Sequence, residues 1–190
     1  MNTLFPIFLK ADQLKFLIIG GGNVGLEKLE ALLKNAPNAE ITILAPIIKR
    51  EIEDLSKNHN LTLIYEPFDD TYLENIDIVI AGTDSKEVNM QARIECKKRK
   101  ILINVADTPD LCDFYLGSVV SKGDLKIGIS TNGKSPTFAK RFREILEDIL
   151  PDNLQETLDN LQSIRNKLKG DFTSKVEKLN EITKIMKKEN

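Results

Sequence analysis

The chain has 190 residues, 41% of them hydrophobic and 29% charged, with a formal net charge of −2. That suits one globular domain, or a domain of about 110–130 residues with a smaller appendage. The near-neutral balance argues against a protein held on nucleic acid mainly through phosphates, and no apolar run approaches the roughly 20 residues needed to span a bilayer. With two cysteines, Cys96 and Cys112, a Cys/His zinc site is excluded, and a Ser-His-Asp triad would have to use the single histidine, His59. The first residues lack the basic, apolar, small-residue order of a signal peptide, so a cytoplasmic chain with reduced thiols is expected.

In chain order, Lys15-Phe16-Leu17-Ile18-Ile19 reads as a buried strand, and 24–35 has apolar residues at 26, 29, 32 and 33, a helical spacing. Glu40-Ile41-Thr42-Ile43-Leu44 is a second strand, ended by Ala45-Pro46, and 47–57 is helical in composition. Strands follow at 61–65, 76–80 and 101–105, with a helix at about 86–98 between the last two. This alternation predicts an α/β fold: a parallel, doubly wound, Rossmann-type sheet covered on both faces. After about residue 112 the rhythm breaks. The runs 116–121 and 125–130, joined by Lys122-Gly123-Asp124, read as a hairpin. The loop 131–136 follows, with Ser135 as a helix cap and Pro136 at the first helical position. Pro151 stops that helix near Leu150, and the charged remainder is helical with Gly170 as its internal breaker. Leu154, Leu158, Leu161, Ile164 and Leu168 form one apolar stripe, and Val176, Leu179, Ile182 and Ile185 another; both need a partner. The expected domains are 1–113, 114–150 and 151–190.

Gly20-Gly21-Gly22-Asn23-Val24-Gly25 carries G-x-G-x-x-G at 20, 22 and 25, directly after a predicted strand and opening a predicted helix. Glycine lets the chain turn sharply and lets a pyrophosphate approach the backbone, while the helix N-terminus offers unpaired N–H groups to the anion. The bland alternative is a tight turn with no ligand. Such turns are usually followed, about 20 residues on, by an acidic residue at the end of the second strand, which binds the adenosine ribose. Glu40 has the distance but starts its strand, and the strand ends Leu44-Ala45-Pro46-Ile47. Neither a ribose carboxylate nor an arginine for a 2′-phosphate stands at that tip. NAD⁺ is therefore expected over NADP⁺, with Pro46 and Ile47 covering the adenosine.

Asp107 ends the fifth strand, where open α/β sheets place their ligands. Beside Val105 and Ala106 a partly desolvated carboxylate can act as general base; the alternative is an Asx-type turn cap before Thr108-Pro109. Thr83-Asp84 follows the fourth strand and is either a loop near the cofactor or the cap of the next helix. Asn104 is either a site residue or a strand-end hydrogen-bonding group. The polar loop 130–135 precedes a helix N-terminus and can bind carboxylate. Lys134, Lys140, Arg141 and Arg143 either pair with substrate carboxylates or form a solvated face. His59 is read as a surface residue, Cys96 as part of a basic helix end matching the dipole, and Cys112 as a packed thiol.

Several blocks in this order resemble one family: Phe5-Pro6-Ile7-Phe8-Leu9-Lys10 before the glycine turn, Leu44-Ala45-Pro46, Ala81-Gly82-Thr83-Asp84 with Val88-Asn89, Ile103-Asn104-Val105-Ala106-Asp107 with Leu111-Cys112-Asp113-Phe114, and Ile129-Ser130-Thr131-Asn132-Gly133-Lys134-Ser135-Pro136 with Ala139-Lys140-Arg141-Phe142-Arg143. The chain is similar to the precorrin-2 dehydrogenase and sirohydrochlorin ferrochelatase family, the N-terminal part of sirohaem synthase. The resemblance runs to about Leu150 and more loosely through the tail. It implies a homodimer that oxidises precorrin-2 to sirohydrochlorin with NAD⁺, some members also inserting Fe²⁺ as a substrate. It implies an NAD-binding domain, a central dimerisation segment and a helical domain; 190 residues are expected to leave no room for the methyltransferase domain of larger members. The catalytic aspartate maps onto Asp107. Together with the readings above, cofactor contacts are expected at Gly20, Gly22, Asn23, Val24, Gly25, Pro46, Ile47 and Thr83, and substrate contacts at Asn104, Ser130, Thr131, Lys134, Ser135, Lys140 and Arg143. No metal ligand is implied. The chain departs from the family at Gly25, where alanine is frequent, and at Lys134 and Lys140, where a small polar residue and an arginine are common. Some members carry a phosphorylatable serine where Thr131 stands. A nucleotide-sensing module without turnover is the rival of another class; such modules usually keep the acid that the second strand's end lacks here.

Overall fold

The computed structural model describes residues 2–168 and 172–184. The chain forms two compact units: residues 1–117 with 130–136, and residues 118–129 with 137–190.

The first unit is built on β1 (Lys15–Ile19), β2 (Glu40–Leu44), β3 (Leu61–Ile64), β4 (Ile78–Ala81) and β5 (Leu102–Val105). All pairs are parallel, in the order β3-β2-β1-β4-β5, as a doubly wound sheet requires. The helices are α1 (Asn23–Asn35), α2 (Arg50–Ser56) and α3 (Lys86–Arg99). Strand side chains alternate between faces. Phe16, Ile18, Ile41, Ile43, Ile78 and Ile80 pack with Leu29 and Leu33 of α1 and Ile52 of α2. Leu17, Ile19, Val79, Ala81, Ile103 and Val105 pack with Ala92 and Cys96 of α3. Both faces are covered, which explains why the strands read as unbroken apolar runs. Each large side chain buried this way contributes about 1.5–3 kcal/mol.

The boundaries shift where a neighbour claims the backbone. Lys100 takes the left-handed conformation (φ 59) that closes α3, and the Ile101 N–H donates to Cys96 O, so β5 starts at Leu102 rather than 101. β4 starts at Ile78 rather than 76, and Asp77 ties to Lys15 through the Lys15 N–H to its Oδ2 at 2.9 Å. The helix expected over 47–57 is shorter, because 45–49 forms a loop fastened to the glycine turn, described below. The edge strand β5 is also closed off. The Asp113 N–H donates to Ile103 O at 2.8 Å, and Asp113 Oδ2 accepts from the Ile103 N–H at 3.1 Å. Unpaired edge groups are thereby satisfied.

The basic run at the end of α3 is not simply solvated. Arg99 bridges Glu95 and Asp70, and Lys98 pairs with Glu95 at 2.5 Å. Cys96, read as part of that run, instead points into the core, and burial pushes its thiol pKa up to about 12. His59 is half-buried rather than fully at the surface, with Nδ1 3.4 Å from Pro37 O. The segment Phe5-Pro6-Ile7-Phe8-Leu9 lies exposed.

In the second unit β6 (Ser118–Lys122) and β7 (Leu125–Ile129) form the expected antiparallel hairpin. It is followed by α4 (Pro136–Ile149), α5 (Leu154–Lys167) and α6 (Phe172–Thr183). Lys122 donates to Leu150 O and pairs with Asp152 at 2.9 Å, so its ammonium satisfies the C-terminal end of α4. Gln155 at the start of α5 clamps the turn: its Oε1 accepts the Asp124 N–H at 2.7 Å and its Nε2 donates to Asp124 Oδ2 at 2.9 Å. The stripe from Leu154 to Leu168 is half-buried, whereas Val176 and Ile182 are exposed; Gly170 and Ile185 lie outside the described residues. On α4, Phe138, Phe142, Ile145 and Ile149 form an exposed apolar stripe, and the two rings stack with centroids 5.9 Å apart.

Candidate functional site

Besides the segment that follows the edge strand β3, the carboxyl edge of the sheet carries the glycine turn after β1, 45–49 after β2, 82–85 after β4, and 106–112 after β5. The order of strands reverses between β1 and β4, and the crevice at such a point is where open α/β sheets take ligands. A depression of about 510 Å³ lined by Asp70, Leu73, Arg99 and Ile101 lies instead toward the amino edge, ahead of β4 and β5.

The glycines of the turn divide by what they face. Gly20 has φ 125 and its Cβ position is 2.5 Å from Gly82 O, so the turn passes directly over the strand end. A Cβ on Gly21 would strike the Ile47 carbonyl, and one on Gly25 the Gly20 carbonyl. These three are demanded by packing. Gly22 is not: its φ −88 and ψ −158 are extended, it is exposed, and a Cβ there meets nothing within 4 Å. Gly22 is the N-cap of α1 and brings no side-chain cap to it. An uncapped helix N-terminus beneath open space suits a pyrophosphate, so the residues present fit a dinucleotide. Asn23 is exposed and Val24 half-buried against the Cβ position of Gly82.

The strand-tip loop contains more than its sequence suggested. Pro46 and Ile47 are exposed, as covering residues would be. Lys49, not singled out in the sequence, donates its backbone N–H to Gly21 O at 3.0 Å and its Nζ to Asn23 Oδ1 at 2.8 Å. The ammonium also lies 3.1 Å from Glu51. Together with the Glu51 backbone, which has the larger effect, it holds the Glu51 carboxyl below its usual range. The contact has no local signature in the sequence, since Asn23 and Lys49 are 26 positions apart.

After β4, Thr83 is locked. Its Oγ1 lies 3.0 Å from both Ser85 O and Asn89 Oδ1, and its carbonyl accepts from Asn89 Nδ2 at 3.0 Å. The cap of α3 is neither Thr83 nor Asp84 but Ser85, whose Oγ accepts the Val88 N–H at 3.3 Å.

After β5 the backbone is strained at Asp107, which holds φ 56. Thr108 N–H to Val105 O closes the turn beneath it at 3.3 Å. Its carboxylate is exposed rather than partly desolvated, and it caps no turn among the described residues. Cys112 holds the loop. Its Sγ accepts from the Val105 N–H at 3.2 Å, and its thiol proton is shared between Val105 O at 3.2 Å and Thr108 O at 3.4 Å. Burial raises the Cys112 pKa, which keeps that donor protonated. Asn104 is 7% exposed and donates to Phe114 O at 2.9 Å, so it ties the strand to the following segment. Arg93 pairs with Asp113 at 2.5 Å and anchors the same segment.

Ser130, Thr131, Lys134 and Ser135 belong to the first unit, and Lys140 and Arg143 to the second. The loop is a tight turn with Asn132 at φ 53 and Gly133 at φ 74, fastened by Lys134 N–H to Thr131 O and Ser135 N–H to Thr131 Oγ1, both at 3.1 Å. Lys134 and Lys140 are exposed. Arg143 is engaged with Glu147 at 2.8 Å, and Arg141 with Glu144 at 2.9 Å. Among the described residues no group of His, Cys, Asp and Glu could hold a metal, and no helix is long and apolar enough to cross a membrane.

Residues 7–118 match the family described as "Putative NAD(P)-binding", more than half of the chain, and the chain belongs to this nicotinamide-dinucleotide-binding family. Residues 122–149 match the family described as "Sirohaem biosynthesis protein central". The siroheme synthase of Psychrobacter arcticus is 39% identical over 176 residues, covering 93% of this chain and 31% of its own. That of Pseudoalteromonas translucida is 36% identical over 167 residues, covering 88% and 35%. The chain thus spans about a third of the length of these curated relatives. A solved structure, "SirC, precorrin-2 dehydrogenase", matches with a TM-score of 0.74 and 25% identity, covering 94% of this chain and 89% of that one. These matches bear out both the Rossmann-type fold and the resemblance to the dehydrogenase part of sirohaem synthase.

Proposed function

We propose that the chain is a precorrin-2 dehydrogenase of sirohaem biosynthesis, acting in the cytoplasm with NAD⁺ and producing sirohydrochlorin. The observation that carries this reading is Gly22. It is a glycine that neither its backbone angles nor its surroundings require, above an uncapped helix N-terminus at the strand crossover. The name of the matched structure, precorrin-2 dehydrogenase, supplies the substrate class. A nicotinamide held there would supply the hydride acceptor for oxidation of the macrocycle.

The chain's own groups do the rest. The α1 N-terminus would hold the pyrophosphate, with Gly20, Gly22, Asn23, Val24 and Gly25 as its cradle, Pro46 and Ile47 would cover the adenosine, and the fixed Thr83 would serve the nicotinamide end. Asp107 accepts the proton that leaves with the hydride. Its left-handed backbone turns the carboxylate out to solvent, where no other group competes for it among the described residues. Ser130, Thr131, Lys134, Ser135 and Lys140 are proposed to meet the acidic side chains of the tetrapyrrole. Asn104 and Arg143 act by holding structure, since both are already engaged. NAD⁺ over NADP⁺ is favoured by the carboxylate of Glu51, which stands in the first turn of α2 beside Arg50, one turn beyond the tip of β2. The domain division proposed is 1–113, 114–150 and 151–190. The exposed stripe Phe138, Phe142, Ile145 and Ile149 supports a homodimer, to be read as twice the chain mass by light scattering.

A second reading adds insertion of Fe²⁺ into sirohydrochlorin. The siroheme synthase names of the relatives favour it. An exposed Asp107 would serve there too, by removing pyrrole N–H protons. A spectral assay with precorrin-2, adding NAD⁺ first and Fe²⁺ second, separates the two activities. Absence of sirohydrochlorin after the first addition refutes the dehydrogenase.

A further inference from the structure

We infer that Lys49 is a phosphate-binding residue of the dinucleotide site, its ammonium taking an anionic oxygen of the cofactor pyrophosphate beside Gly22. This rests on the nicotinamide-dinucleotide reading of the site and adds to it a cation that the sequence pattern does not mark.

Two contacts place Lys49 there, and they are independent of each other. Its backbone is fastened to the glycine turn by the N–H to Gly21 O bond of 3.0 Å, and the turn and loop touch so closely that no side chain fits on Gly21. Its side chain then runs to the first residue of α1, where Nζ sits 2.8 Å from Asn23 Oδ1. Gly22, the open position, is the chain neighbour of Asn23. The ammonium therefore stands at the first residue of α1, next to the open position at Gly22. The side chain is 35% exposed, so the charge is in contact with solvent yet held in place. A pyrophosphate carries two negative charges, and a helix terminus supplies only partial positive charge. A lysine on the same rim supplies the full charge, as a point donor that needs no bidentate geometry.

Glu51 decides between the two phosphates a dinucleotide can carry. Its carboxylate is 3.1 Å from the same ammonium. A ribose hydroxyl can donate to that carboxylate, whereas a 2′-phosphate in its place would face a like charge. The arrangement fits the pyrophosphate common to both cofactors and an unphosphorylated ribose.

The test is calorimetric titration of the whole chain with NAD⁺, NADP⁺ and adenosine, in wild type, Lys49→Ala, Lys49→Arg and Glu51→Gln. Lys49→Ala is expected to raise the Kd for NAD⁺ about tenfold with adenosine unaffected and the melting temperature unchanged, since the backbone contact to Gly21 persists. Lys49→Arg should restore NAD⁺ binding to within about threefold, and Glu51→Gln should narrow the gap between NAD⁺ and NADP⁺. An NAD⁺ Kd in Lys49→Ala within about twofold of wild type overturns the inference. So does a loss confined to NADP⁺, which would assign the ammonium to the ribose. A wild type that binds neither dinucleotide overturns the site reading itself, an outcome distinct from failure of the variants alone.

Discussion

Replacing Gly22 by serine separates what the ligand needs from what the fold needs. The backbone at Gly22 (φ −88, ψ −158) is open to any residue, and an added Cβ meets nothing within 4 Å. Removing a glycine lowers the entropy of the unfolded chain, worth about 0.4–1 kcal/mol where the native backbone is compatible. A serine hydroxyl at the N-cap adds a few tenths of a kcal/mol over glycine by accepting an N–H of the first turn. The sum is roughly 0.5–1.5 kcal/mol of stabilisation, or a rise in Tm of about 1–6 °C for a chain of this size. Binding should move the other way. The hydroxyl occupies both the space and one of the N–H groups that the pyrophosphate would use. A charge-assisted hydrogen bond is worth about 1.5–3 kcal/mol, so the Kd for NAD⁺ should rise roughly 10- to 150-fold. Thermal melts read the first quantity and calorimetric titration the second. A Gly22→Ser chain that melts at or above wild type and still binds NAD⁺ within about twofold would show that the open face of the turn holds no phosphate. The contrast is Gly25→Ala, whose Cβ runs into the Gly20 carbonyl and should lower Tm before any ligand is added.

Other outcomes follow from the carboxyl edge and the core. Asp107→Asn keeps a residue that tolerates the left-handed backbone, so it should leave the fold and NAD⁺ affinity intact while lowering dehydrogenase kcat by about 10²–10⁴-fold; turnover above about a third of wild type would exclude the carboxylate as proton acceptor. Cys112→Ala removes the partner of the Val105 N–H and should destabilise the chain by about 1–3 kcal/mol and lower kcat more than it raises KM for NAD⁺, with Cys112→Ser restoring both in melts and steady-state kinetics; an alanine variant with wild-type kcat would mean the thiol does not position Asp107. The Cys96 thiol, raised to about 12 by burial, is neutral when folded and ionises more readily when unfolded, so its contribution is complete below pH 9 and falls as pH rises from 9 to 12. Denaturant titrations of wild type and Cys96→Ala should therefore converge across that window, and parallel pH profiles would contradict it.

Much of this protein is written locally. Each strand is a short apolar run, and each helix has its own spacing and stop, so the order of elements along the chain could be read without knowing where any of them pack. The glycine turn is equally local, because a tight turn opening a helix needs its residues consecutive. The place of Asp107 at the end of β5 is local for the same reason: strand ends are visible in sequence, and parallel sheets put them on one edge.

What the sequence could not supply are the features made by residues far apart. Gly20, Gly21, Gly22 and Gly25 look alike in a motif. Only packing against Gly82, Ile47 and the Gly20 carbonyl shows that three serve the turn and one faces open space. Lys49 reads as an ordinary charged residue until the parallel pairing of β1 with β2 brings its ammonium to Asn23, 26 positions away. Cys112 reads as a packed thiol and Asp113 as the next residue of the same block, and only the position of β5 at the edge of the sheet shows them completing its unpaired backbone groups. Periodicity records how a segment meets solvent and core, whereas strand order and hydrogen bonds between distant segments are settled when the sheet assembles, and those decide which charges stand beside the glycine turn.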